Sequence, residues 1–181
     1  FHIGVAEGHG GLGAGLVSIA AGSAAVGDHE RAFILRQGCG ENMYGGSHRL
    51  MERIYTRFGL KFSFVDSRDI RNIEAALRPE TRMIYCETPT NPMMQLTDLS
   101  AVGDLTQAHG FLFAVDNTFA TPVFQRPLEV GADVVLHSTT KYLNGHSDMV
   151  GGLLLTKRDD LAEQFGFIQN AVGSVPSPID C

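Results

Sequence analysis

The sequence predicts an α/β protein, a mostly parallel sheet sandwiched by helices. Short β-branched or apolar runs alternate along the chain with longer amphipathic segments. Apolar strands separated by helices pair in parallel with both faces covered. The composition agrees. Apolar residues make up 44% and charged residues 19% of 181 positions, which suits one globular domain with a sizeable core.

In chain order, residues 13–26 predict a helix behind a Gly-rich opening at 8–15, and 31–35 predict a strand. Residues 47–58 read as a helix, 61–65 as a strand and 70–77 as a helix. A strand at 82–86 follows. In the helix at 97–109, Leu99, Val102, Leu105 and Ala108 recur at three-residue steps, roughly one face. Thr97 or Asp98 serves as its N-cap and Gly110 as its C-cap. Strands at 111–115, 133–136 and 152–155 come next, then a helix at 159–170. Residues 28–43 are long and irregular. No boundary is visible before about residue 173, so 1–172 read as one large domain. Residues 173–181 read as the start of a connection to a further one.

Several classes are excluded early. The net charge of −6 is spread along the chain, which argues against a nucleic-acid surface. The longest apolar runs, such as 151–156, suit a buried strand rather than a membrane span. No signal peptide is visible. Cys39, Cys86 and Cys181 are few, odd in number and lack metal-ligand spacing. A reducing compartment, the cytoplasm, is expected, with no metal site. Cys39 and Cys86 are expected to pack in or near the core. The chain begins at Phe1 without Met and stops at Cys181 after a Pro- and Ser-bearing stretch. It reads as a piece of a longer protein.

In parallel sheets ligands sit beyond the carboxyl ends of the strands, so informative residues are expected just after them. The apolar run 111–115 is followed by Asp116. A carboxylate there caps the following loop or faces a cation such as a protonated ring nitrogen. Run 134–136 is followed by His137, Ser138, Thr139, Thr140 and Lys141. Hydroxyls and N–H groups at a strand end make a phosphate cradle. An amine beside such a cradle forms an imine with a cofactor aldehyde, although a lysine after a strand also snorkels at surfaces. Asn91, in the Pro-flanked turn 87–92, projects an amide at the same edge, or is a plain turn residue. Tyr44 before Gly45-Gly46 stacks on a planar ligand or packs beside a turn. Gly10-Gly11-Leu12-Gly13 before a helix is a weak phosphate-binding signal.

Together the strings ETPTNP (87–92), DNTFATP (116–122), QRPLE (125–129), GAD (131–133) and HSTTKYLNGHSD (137–148) occur in a fixed order. They resemble the Cys/Met-metabolism family of pyridoxal-phosphate (PLP) enzymes, which includes cystathionine γ-lyase and cystathionine γ-synthase. The likeness covers about residues 44–181 well and residues 1–43 poorly. It implies the PLP-dependent transferase-like fold (fold type I), with 1–172 as its PLP-binding large domain. It implies pyridoxal 5'-phosphate as cofactor, with Lys141 the Schiff-base lysine and later proton shuttle. Asp116 pairs with the pyridine nitrogen. Tyr44 stacks on the ring and helps take up the amine proton. Ser138 and Thr140 bind the phosphate through their hydroxyls, and Gly11 and Leu12 through their backbone. Asn91 lies near the cofactor oxygen or the substrate carboxylate. His146 is read as support for the lysine loop.

The resemblance implies a soluble enzyme acting on cystathionine or a related sulfur amino acid. A γ-lyase-like α,γ-elimination gives cysteine, ammonia and 2-oxobutanoate. A γ-replacement synthase or an O-acylhomoserine sulfhydrylase is the alternative within the family; a non-catalytic remnant is the alternative outside it. Tyr44-Gly45-Gly46-Ser47 has Gly where methionine γ-lyases carry a Cys, and the tail 173–181 resembles cystathionine γ-lyases. Family members work as homotetramers of dimers with shared sites. They add an N-terminal arm with a Tyr and an Arg, and a smaller C-terminal domain with a substrate-binding Arg. The 181 residues alone are therefore expected to hold part of a working site, and to be inactive by themselves.

Overall fold

The apolar runs form seven strands. In the computed structural model the described residues are 2–6, 34–35, 45–173, 175, 176 and 178, the first two segments by backbone alone. The strands are β1 His2–Ala6, β2 Ile34–Leu35, β3 Lys61–Phe62, β4 Met83–Glu87, β5 Leu112–Asp116, β6 Val134–Ser138 and β7 Gly152–Thr156. The main sheet has the order β1-β7-β6-β5-β4. β4, β5 and β6 pair in parallel, while β7 is antiparallel to both β6 and β1. Four of its strands thus run one way and β7 alone runs back. A parallel pair, β2 and β3, lies alongside β4.

Strand alternation sends successive side chains to opposite faces. On one face Met83, Tyr85, Ala114, Val134, Leu136 and Leu154 form a core closed by Met51, Leu161 and Phe165. The covering helices are α1, Gly45–Arg53, and α5, Asp159–Val172. On the other face Ile84, Cys86, Phe113, Val115 and Val135 pack under Ile73, Leu99 and Val102. Those belong to α2, Ile70–Ala75, and α3, Leu99–His109. A four-residue helix, α4, Thr121–Phe124, follows β5. Phe113 is wholly buried; removing such a side chain from water contributes about 1.5–3 kcal/mol. This is the sandwich expected from the alternation.

Helix ends follow local chemistry. Asp98 accepts from the Ala101 N–H at 3.1 Å, and Gly110 closes α3 with φ 68°. The buried positions of α3 are Leu99, Val102, Gly103 and Thr106, not Leu105 and Ala108. The true period of 3.6 residues carries the face round. Thr106 is accommodated because its hydroxyl bonds the Val102 and Gly103 carbonyls, at 3.0 and 2.9 Å. The helix expected at 47–58 ends at Arg53 and tightens into a 3₁₀ turn, Tyr55–Phe58. The Thr56 hydroxyl there takes the Glu52 carbonyl, the acceptor its own N–H would use, and Gly59 turns away at φ 82°.

Strand β1 was not expected; of the strand expected at 31–35 the described residues 34–35 pair with 61–62, and the strand expected at 61–65 is two residues long. The helix expected at 13–26, and Cys39, lie outside the described residues. No described helix is long and apolar enough to cross a membrane.

Candidate functional site

The three parallel-paired strands β4, β5 and β6 each run one or two residues further than the apolar pattern showed. Glu87, Asp116 and Ser138 are thus the last residues of β4, β5 and β6 rather than the first of the loops. Register places Glu87 beside Asp116 and Asp116 beside Leu136. All three polar residues share the face of Met83, Tyr85, Ala114 and Leu136 by alternation. The strand ends therefore gather chemistry on one side of one edge.

Asp116 is half-buried. Its Oδ1 accepts the Thr118 N–H at 3.0 Å and the Thr118 hydroxyl at 2.6 Å. Its Oδ2 accepts the Tyr85 hydroxyl at 3.3 Å. Burial raises its pKa above the ordinary carboxylate range, against the lowering pull of the Thr118 and Tyr85 bonds. No Lys or Arg pairs with it among the described residues. Thr118 also joins two strand ends, because its hydroxyl oxygen accepts the Ser138 N–H at 2.9 Å.

Beyond Ser138 the chain makes one wide π turn, Thr139–Leu143. Lys141 breaks its helical geometry, with φ −101° and ψ −123°, and is exposed. The Ser138 hydroxyl makes no hydrogen bond among the described residues. The Thr140 hydroxyl accepts the Gly151 N–H at 3.0 Å and reaches the Gly151 carbonyl at 3.3 Å. The loop closes through the Gly145 N–H on the Lys141 carbonyl at 2.8 Å and His146 Nδ1 against the Asn144 carbonyl at 2.7 Å.

Asn91 is half-buried in the turn after β4, where the peptide bonds before Pro89 and Pro92 are both cis. Its N–H donates to Glu87 Oε1 at 3.2 Å. Gln125 staples this turn to the one after β5. Its Nε2 donates to the Thr88 carbonyl at 3.2 Å and to Asn117 Oδ1 at 2.8 Å, while Asn117 Nδ2 returns a bond to the Gln125 carbonyl. The structure thus brings Asp116, Ser138, Thr140 and Lys141 to one edge, with Asn91 on the neighbouring turn. Tyr44, Gly11 and Leu12 lie outside the described residues.

Thr118, Tyr85 and Gln125 were not singled out from the sequence. The signal for Tyr85 was its spacing of two from Glu87, which sets both on one face. Thr118 and Gln125 sit inside the strings 116–122 and 125–129, without a local pattern to mark them.

These residues fit PLP. A half-buried carboxylate without a cationic partner among the described residues suits a protonated pyridine nitrogen. The Ser138 and Thr140 hydroxyls at a strand end, the first without a bond among the described residues, suit a phosphate. Comparison with known proteins agrees. A model of the Cys/Met metabolism PLP-dependent enzymes matches residues 9–181. The chain is 49% identical to a Bacillus subtilis cystathionine gamma-lyase over 140 residues, 77% of this chain and 37% of that one. It is 47% identical to a Mycobacterium leprae cystathionine gamma-synthase, over 77% of this chain and 36% of that one. A crystal structure of cystathionine gamma-lyase from Lactobacillus plantarum, complexed with L-serine, superposes with a TM-score of 0.85 at 40% identity. It covers 97% of this chain and 43% of its own.

Fold and site define a PLP-dependent α/β enzyme domain. The chain belongs to the Cys/Met metabolism PLP-dependent enzymes. It spans about two fifths of the length of these relatives.

Proposed function

We propose that the protein containing this chain cleaves a carbon–sulfur bond at the γ-carbon of cystathionine or a related sulfur amino acid, yielding cysteine, ammonia and 2-oxobutanoate. The observation that supports it most is Asp116, joined through Thr118 to the strand end that carries Ser138, Thr140 and Lys141. Bound PLP supplies an electron sink for the charge left when a proton leaves the substrate's α-carbon.

The chain's own residues do the rest. Asp116 holds the ring nitrogen and its proton. Ser138 and Thr140 hold the phosphate, with the backbone of Gly11 and Leu12. Tyr44 would stack on the ring and take up the substrate's amine proton. Lys141 attaches the cofactor through its amine. Lys141 would also move protons between the substrate's α- and β-carbons, a task that suits a long side chain. The exposed position and the break in helical geometry at Lys141 leave that side chain free to swing. Asn91 orients the cofactor oxygen or the substrate carboxylate.

Relatives of both kinds, lyase and synthase, support a second reading in which cysteine adds at the same γ-carbon. An O-acylhomoserine sulfhydrylase is the related alternative, in which sulfide rather than cysteine displaces the acyloxy group, released as a carboxylate. Assembly as a homotetramer of dimers with shared sites is part of the proposal, as is a cytoplasmic setting. Product analysis of the full-length protein separates the readings. Oxobutanoate and cysteine from cystathionine support the lyase; cystathionine made from cysteine and an activated homoserine supports the synthase. Neither product, with cofactor bound, leaves the non-catalytic remnant. Borohydride should fix the cofactor on Lys141, and a Lys141→Ala protein on which borohydride still fixes it covalently refutes the assignment.

A further inference from the structure

Asp116 uses its two oxygens unequally. Oδ1 is filled by both Thr118 donors. Oδ2 has one described donor, the Tyr85 hydroxyl, at 3.3 Å. Tyr85 is 3% exposed and stands on β4 opposite Ala114, two residues below Asp116 on the neighbouring strand. Its ring is wedged in the core with Met83, Ala114 and Leu136, so the hydroxyl has little freedom. A tyrosine hydroxyl has one proton to donate, and here Asp116 Oδ2 receives it.

We propose that Tyr85 is a positioning residue for the cofactor: its hydroxyl fixes the Asp116 oxygen that Thr118 leaves open. This rests on the functional reading above. A donor to a carboxylate favours the charged form, and Asp116 needs that help because burial opposes its charge. Without Tyr85's proton, Asp116 draws the proton from the ring nitrogen, and the cofactor becomes a weaker electron sink.

The test uses full-length protein loaded with PLP labelled with nitrogen-15 in the ring. Tyr85→Phe keeps the ring and removes the hydroxyl. The ring-nitrogen signal should move toward that of an unprotonated pyridine, and PLP affinity should fall about tenfold, the effect of one charged hydrogen bond. In an Asp116→Asn background Tyr85→Phe should change neither. An unmoved signal in Tyr85→Phe, or in Tyr85→Leu should Tyr85→Phe not fold, overturns the proposal. So does an equal loss of affinity with and without Asp116. A wild type that takes up no PLP overturns the functional reading and this inference with it; an unmoved signal in a protein that holds PLP overturns Tyr85's role alone.

Discussion

At the scale of single residues, the site is governed by how one carboxylate is satisfied. Asp116 carries a raised pKa in the absence of cofactor because it is held partly out of water. A raised folded-state pKa contributes stability that is present in acid and is lost as pH rises through that pKa. Asp116→Asn removes this dependence. In thermal melts without PLP, the variant should therefore gain on wild type as pH rises across the carboxylate range; a constant difference would refute the assignment. With PLP bound the order reverses, and Asp116→Asn should lower turnover about 10–100-fold, one charged hydrogen bond's worth. Thr118→Val tests the join between strands. It strips a bond from Asp116 and leaves the Ser138 N–H without its acceptor, costing about 1–3 kcal/mol by denaturant unfolding. Thr118→Ser keeps the hydroxyl and should cost far less.

At the scale of elements, close packing positions the strand ends. Gly103 of α3 faces the turn before β6. A Cβ there would lie 2.5 Å from the Val130 carbonyl oxygen and 3.3 Å from the Gly131 Cα. Backbone cannot step aside as a flexible side chain can. Gly103→Ala should cost about 1–3 kcal/mol, read as a fall in melting temperature of about 2–4 °C per kcal/mol. An unchanged melting temperature would mean that α3 shifts freely.

Much of this level was legible in the sequence. Continuous apolar runs marked β4, β5 and β6, and Asp98 and Gly110 marked the ends of α3. The strand ends were not, because Glu87, Asp116 and Ser138 are polar. An apolar count stops before them, although their backbones still pair. The Thr56 bond that ends a helix early is equally invisible to periodicity. Asp116, Ser138 and Lys141 were legible as candidates because polar residues follow apolar runs directly. Tyr85 was hidden, because inside a strand a tyrosine reads as core until its hydroxyl has a partner.

At the scale of the whole molecule, the sheet is covered by helices on both faces. Cys86 lies in β4 at 1% exposure, and burial pushes its thiol up to about 12. A thiol so placed is inert until the sheet opens. Maleimide should leave the Cys86 peptide unlabelled in native protein by mass spectrometry, and label it in step with loss of circular dichroism in urea. Labelling well below that transition would show that β4 opens locally.

The lone reversed strand has a consequence for how the site comes into being. β6 and β7 form a long hairpin, with Ser138 opposite Gly152 and the lysine turn within its connection. Every hydrogen bond described around that turn, apart from Thr118's to Ser138, lies between residues 134 and 156. Contacts close in sequence form fast, while parallel pairing must wait for a crossover to close. During synthesis the lysine turn can therefore take shape from its own hairpin, and β5 brings Asp116 to it by a slower, longer-range docking. In pulse-labelled hydrogen exchange the Gly145 and Gly151 amides should gain protection no later than those of β4 and β5.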